Sequence, residues 1–126
     1  MDNQCLDILQ TNLPSDLFLR GVSLEEIGIS NYAWKMQDAL LALEILREKR
    51  IPILGGDVYQ IENGIKTTID GWHTNRKNSV QPNAYLVESH KKTVDYIVAY
   101  ASKNGGHSCY SLVIDKIPIG EDGASQ

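Results

Sequence analysis

Two acidic residues and one histidine lie at spacings that could bring their side chains together across a β-hairpin. Asp57 follows two glycines at the start of a predicted strand, and Asp70 and His73 lie on the predicted return strand. Carboxylates and imidazoles are common zinc ligands, although this spacing matches no recognised ligand pattern. We keep a small metal-dependent enzyme that uses these three residues as an alternative, and predict no metal, no cofactor and no catalytic residue.

A second pair of reactive residues lies near the C-terminal end. His107 and Cys109 are two residues apart, so their side chains would share a face if both lay on a strand. A thiolate and an imidazole can form a nucleophilic pair, which also needs a third group to orient the base. Because no such group is evident, we interpret Cys5 and Cys109 as reduced, packed thiols.

The charge of the chain bears on the kind of partner it could bind. The formal net charge is −4, and the acidic residues are concentrated in the first 70 positions. This distribution disfavours nucleic acid and permits a basic protein partner, although a modest negative charge also serves solubility. The sequence contains no long apolar run and begins without the basic and apolar regions of a signal peptide. We therefore predict a cytoplasmic protein with no membrane partner.

Two long helices are the clearest predicted elements. Asn31 can cap a helix that continues to about residue 50, with apolar residues on more than one side. Pro82 begins a second helix, and His90 lies on its apolar stripe, where a packed and hydrogen-bonded histidine is expected. Shorter helices are predicted to begin at Cys5 and at Ser23.

The strands complete the predicted fold. Asn63-Gly64 between β-branched residues is a strong hairpin signal, and a two-residue turn there pairs Glu62 with Ile65. Residues 110–115 alternate in polarity and form a predicted third strand. The fold class is therefore α+β, with a small antiparallel sheet, formed by the hairpin and a C-terminal strand, and two long helices on one face. We assign residues 1–118 to a single domain and residues 119–126 to a flexible acidic tail.

The predicted hairpin register divides its side chains between two faces. On one face Asp57 lies opposite Asp70, with Tyr59 and Trp72 beside them, which is a composition typical of protein-binding sites. We predict these four residues as contacts for a protein partner; the alternative is that Tyr59 and Trp72 stabilise a second small core. The opposite face is predicted to be the core face. It carries Leu54, Val58, Ile65 and Ile69.

Three glycines are predicted to be structural in this register. Gly56 would lie opposite Gly71, and together they would allow a helix to approach the core face closely. Gly55 would lie opposite Trp72 and leave room for its indole.

Three stretches, in this order, resemble the immunity protein 40 family of bacterial polymorphic toxin systems: "ISNYAWKMQDALLALEIL", "IPILGGDVYQIENG" and "DGWHTN". The resemblance covers about residues 28–100, and its most specific piece is Gly55–Tyr59 after a leucine-rich helix. It implies a small cytoplasmic α+β protein that binds a cognate toxin domain and protects the cell that produces it. The type of toxin and the choice between monomer and homodimer are left open, and a structural homodimer formed through an exposed sheet edge is a further alternative.

Overall fold

The structure, a computed structural model, describes residues 4–75 and 81–115. The α-helices in this part of the chain are α1 Gln4–Asn12, α2 Ser15–Leu19, α3 Met36–Glu48 and α4 Pro82–Asn104. The strands are β1 Val22–Ser23, β2 Tyr32–Lys35, β3 Ile53–Glu62, β4 Ile65–His73, β5 Cys109–Ser111 and β6 Val113–Ile114. A short 3-10 helix spans Glu25–Ile27. The predicted tail at 119–126 lies outside the described residues, and the assignment of 1–118 to one domain stays a prediction.

All six of these strands belong to one antiparallel sheet. The strand order is β1-β2-β5-β3-β4, and β6 pairs with the start of β3. Helix α3 contacts β2 and β5, helix α4 contacts β3, and the two helices contact each other. The predicted α+β class is therefore confirmed, although the sheet is larger than the hairpin and single strand that the sequence predicted.

The predicted start of the first long helix at Asn31 is wrong. Tyr32–Lys35 form strand β2, which pairs with β1 and β5, and the helix begins at Met36. Trp34 is predicted to lie on the apolar stripe of this helix. It lies instead on strand β2, opposite Tyr110, and is fully buried there. Asn31 is buried before this strand, where its side-chain amide donates a hydrogen bond to the Leu112 carbonyl at 3.1 Å.

The other predicted helices agree more closely with the structure. The helix predicted from Cys5 is α1, and the helix predicted from Pro82 is α4. The predicted helix at Ser23 is only the 3-10 turn, which ends at Gly28 in a left-handed conformation (φ +80°). No helix in the described ranges has both the length and the apolar character that a membrane span needs.

The predicted packing of His90 is confirmed. Its side chain is 3% exposed, and its Nε2 lies 2.8 Å from the Ile51 carbonyl oxygen. Because burial disfavours the charged imidazolium, the pKa of His90 is lowered from its usual value. A neutral, hydrogen-bonded imidazole is therefore part of the contact between α4 and the chain that leads into β3.

Apolar side chains form two clusters on opposite faces of the sheet. The larger cluster lies between the sheet and the helices, and Trp34, Val58, Trp72 and Tyr110 are among its members. The smaller cluster lies on the other face, beneath the segment 22–29. It contains Leu24, Ala33, Tyr59 and Cys109. Both faces of β3 are therefore covered near its middle.

Candidate protein-binding edge

The turn of the β3–β4 hairpin matches the sequence prediction. Asn63 and Gly64 both have positive φ, 51° and 80°, as a type I′ turn requires. Glu62 pairs with Ile65, and the four pairs nearest the turn, ending with Tyr59 and Thr68, have the predicted register.

A β-bulge changes the register beyond this point. Tyr59 lies opposite Thr68, but its neighbour Val58 lies opposite Asp70, so Ile69 is an extra residue on β4. Asp57 consequently lies opposite Gly71, and the predicted pairing of Asp57 with Asp70 is wrong. Because side chains alternate along a strand, Asp70 shares a face with Val58, whereas Asp57 points to the other face.

The bulge also separates the residues that a metal site would require. His73 pairs with Gly55 and so shares a face with Asp57, while Asp70 points to the opposite face. Among the described residues, no group of three or more His, Cys, Asp or Glu side chains is positioned to hold a metal ion. Asp57, Asp70 and His73 therefore do not form the arrangement that the metal-dependent alternative needs.

His107 and Cys109 do not form a nucleophilic pair of strand neighbours either. Strand β5 begins at Cys109, and His107 is an exposed residue in the turn before it. Burial raises the pKa of the Cys109 thiol, which keeps it in the less reactive protonated form. The interpretation of Cys109 as a packed thiol agrees with its place in the smaller cluster.

Both aromatic side chains are buried, which agrees with the alternative that they stabilise a core. Tyr59 is 1% exposed and Trp72 is 9% exposed. The Trp72 indole stacks on Tyr96 with the ring centroids 4.7 Å apart, and its N–H donates a hydrogen bond to the Thr93 hydroxyl at 3.1 Å. Tyr59 packs against Leu24 in the smaller cluster. The role of both side chains in partner binding stays a prediction. In this fold the role would be indirect, because the buried rings stabilise the position of the hairpin.

The predicted core face is also wrong at several positions. Ile65 is 67% exposed and Ile69 is 41% exposed, and Leu54 is exposed as well, whereas Val58 is fully buried. Ile65 lies next to the turn, and Ile69 occupies the bulge. The hairpin therefore presents aliphatic side chains to solvent at positions that the alternating pattern assigned to the core.

The three glycines make close contacts, but the contacts differ from those predicted. A Cβ atom at Gly56 would lie 2.4 Å from Cη2 of Trp72, so Gly56, and not Gly55, makes room for the indole. A Cβ atom at Gly55 would lie 2.5 Å from the Trp72 carbonyl oxygen, and one at Gly71 would lie 2.6 Å from Oδ1 of Asp57. The predicted pairing of Gly56 with Gly71 is wrong, since Gly56 lies opposite Trp72.

Strand β4 lies at one end of the sheet and leaves an open edge. It pairs with β3 on one side, and no described strand pairs with its other side. We call residues 65–70 of this strand the hairpin edge. Lys66 of the hairpin edge forms an ion pair with Glu26. This ion pair connects the hairpin to the 3-10 helix.

Acidic side chains surround the hairpin edge. Glu62 precedes the turn, Asp70 follows the bulge, and Glu25 and Glu26 lie in the neighbouring 3-10 helix. Lys66 lowers the pKa of Glu26 through a hydrogen bond and charge attraction, so the Lys66 charge is compensated within the chain. Glu62 and Asp70 are exposed and share the face of Ile65, so this side of the hairpin is acidic.

The Asp70 carboxylate also affects the aromatic side chains behind the strand. Burial raises the pKa of Tyr96, and the nearby Asp70 carboxylate raises it further because it disfavours a second negative charge. Asp70 is itself exposed, and its Oδ1 accepts a hydrogen bond from the Gly71 N–H at 2.8 Å. It thus lies at the boundary between the larger cluster and the open surface.

The sequence model of the family described as Immunity protein 40 matches residues 23–114. The chain belongs to the immunity protein 40 family. The resemblance found in the sequence is therefore confirmed, and the match extends beyond residues 28–100 at both ends. It includes the whole hairpin edge and all four predicted contact residues, Asp57, Tyr59, Asp70 and Trp72. No curated protein and no solved structure matches the chain significantly.

Proposed function

We propose that this member of the immunity protein 40 family binds a cognate bacterial toxin domain in the cytoplasm and neutralises it by stoichiometric association. The family assignment supports an immunity role. The observation that carries the proposal is the hairpin edge, an open strand with exposed aliphatic side chains and an acidic surround. An exposed apolar patch with a polar rim is typical of a protein interaction site.

The contact surface that we propose differs in part from the one expected from the sequence. Ile65 and Ile69 provide apolar contacts, and the exposed carboxylates of Glu62 and Asp70 meet basic groups of the toxin. Asp57 is half-buried and contributes from the other face of the hairpin. Complementary charge raises the association rate and favours the correct partner. Tyr59 and Trp72 contribute by holding the hairpin in place from its two covered faces.

A co-purification and protection experiment tests this function. Tagged chain is used to recover bound polypeptides from the source bacterium at moderate salt, and the C-terminal domain of the recovered polypeptide is then expressed alone or with this chain. We expect that domain to be toxic alone and harmless with the chain present, and to form a complex of fixed stoichiometry. The family resemblance implies a toxin gene beside the gene of this chain. If the product of that gene is present in the cells and the chain neither binds it nor protects against it, the proposal is wrong.

The acidic residues should mainly affect how fast the complex forms. Replacing Glu62 with Gln and Asp70 with Asn together should slow association with the toxin domain about 10-fold at low salt, with little effect on the unfolding temperature. The difference from the unmodified chain should shrink as salt is added, since exposed charges are screened. Association rates measured by surface plasmon resonance at several salt concentrations would show this.

A matched pair of substitutions controls for net charge. Glu44→Gln with Glu48→Gln removes the same two charges from exposed positions on α3. We expect this variant to associate at nearly the unmodified rate. Equal slowing by both double variants would mean that the overall charge matters and the hairpin edge does not.

A further inference from the structure

The turn geometry determines which backbone groups of β4 face the open edge. In a two-residue hairpin the residues that flank the turn, Glu62 and Ile65, form a hydrogen-bonded pair, and along the ladder such pairs alternate with pairs that are not hydrogen-bonded. Lys66 and Thr68 therefore direct their N–H and C=O groups away from β3. Tyr59, which lies opposite Thr68, pairs on its other side with Cys109 of β5.

The stretch between the turn and the bulge lacks two of the features that protect natural strand edges, namely proline and a free lysine. Such edges usually carry proline, free lysines or inward-pointing charges. Residues 65–69 contain no proline, four of the five are β-branched, and the one lysine, Lys66, is held by Glu26. The bulge at Ile69 interrupts the regular ladder, so an added strand would pair along about four residues.

The charges around the edge favour a basic protein segment over a second copy of this chain. Antiparallel pairing of two copies would bring Asp70 of each near the turn of the other, beside its Glu62. Each copy also carries a net charge of −4, so two copies would repel each other. A segment with Lys or Arg residues at its ends would instead meet Glu62 and Asp70 with complementary charge.

We propose that an extended, basic segment of the toxin domain adds to the hairpin edge as a further strand of the sheet. Its backbone pairs with the outward groups of Lys66 and Thr68, its aliphatic side chains pack beside Ile65 and Ile69, and its basic residues meet Glu62 and Asp70. Main-chain hydrogen bonds supply affinity in this mode of recognition, and the flanking side chains supply specificity. The inference rests on the proposed function, because the occupant is the toxin.

A proline substitution tests the backbone pairing. Thr68→Pro removes an N–H that faces the open edge, where proline is tolerated in a sheet. We expect Thr68→Pro to bind the toxin domain 10- to 100-fold more weakly while its circular dichroism spectrum stays unchanged. Thr68→Ala, which keeps the N–H, should bind within about threefold of the unmodified chain. Equal affinity of the proline and alanine variants would overturn the proposal.

Amide hydrogen exchange of the unmodified chain gives a second readout that does not depend on a variant folding. The Lys66 and Thr68 amides should exchange fast in the free chain and slow down when the toxin domain is added. Binding without this protection would overturn strand addition and leave the proposed function intact. Protection in the absence of toxin, together with a dimeric mass by light scattering, would assign the edge to a second copy. If the unmodified chain did not bind the toxin domain at all, both the proposed function and the proposed strand addition would be wrong.

Discussion

Replacing Gly56 with valine should destabilise the fold by about 3 kcal/mol or more, because there is no space for the side chain. Even a Cβ atom at this position would lie 2.1 Å from the Ser111 carbonyl oxygen and 2.4 Å from the Trp72 indole. The carbonyl belongs to the backbone of β5, and the indole is packed against Tyr96, so neither can move without disturbing its neighbours. Chemical denaturation followed by circular dichroism would measure the loss.

Gly71→Ala is the matched control for this substitution. Its added Cβ atom would meet Oδ1 of Asp57 at 2.6 Å, which is the end of a side chain that can rotate, and the Gly56 carbonyl oxygen at 3.0 Å. We expect a cost of about 1 kcal/mol. If the Gly56→Val variant were as stable as the unmodified chain, the indole could not lie over Gly56, and the register beyond the bulge would differ from that described.

The sequence predicted the fold class, the hairpin turn and the family, and it could not predict the bulge. The fold class and the hairpin turn depend on local preferences. For example, Asn63 and Gly64 readily adopt the positive φ that the turn requires. A bulge is one extra residue, and the alternating pattern of β4 gives no sign of it. Because one residue reverses the faces of everything beyond it, Trp72 moves to the face of Val58 and the helices, while Asp70 leaves the face of Asp57.

The burial of Tyr59 has a different cause. Its predicted face is correct, but the sequence did not predict β1 and β2, which have only two and four residues. The segment 22–29 places Leu24 against this face and closes it. Short strands like these form because pairing with other strands overrides local preference. In the sequence, Trp34 fits the apolar spacing of a helix, so strand β2 was not recognised.

The exposure of Ile65 shows a third limit of pattern reasoning. Ile65 shares a face with its cross-strand partner Glu62, near the tip of the hairpin, where it is 67% exposed. Periodicity assigns a side chain to a face of the sheet, but only the packing of other elements determines how far along the strand that face is covered. The hairpin edge was therefore not predictable as an exposed apolar surface, although an open sheet edge was foreseen as a possible interaction site.

Replacing Trp72 with alanine should cost about 3–5 kcal/mol of folding free energy, and replacing Tyr59 in the same chain should unfold most of it. The indole is almost fully buried, stacks on Tyr96 and donates a hydrogen bond to Thr93, so its removal leaves a cavity and an unpartnered hydroxyl. Thermal unfolding of the single and double variants, followed by circular dichroism, would measure the effect.

The comparison with an edge variant decides what the two aromatic residues do. Ile65→Ala with Ile69→Ala removes exposed side chains, so we expect normal stability and toxin binding at least 10-fold weaker. Trp72→Ala should show the opposite pattern, with lost stability and, in whatever fraction stays folded, nearly normal affinity. If Trp72→Ala kept its unfolding temperature and lost toxin binding, the indole would be a direct contact, and complex formation would have to open the larger cluster. Since that opening would remove the stacking on Tyr96, near-ultraviolet circular dichroism of the complex would reveal it as a change in the aromatic signal.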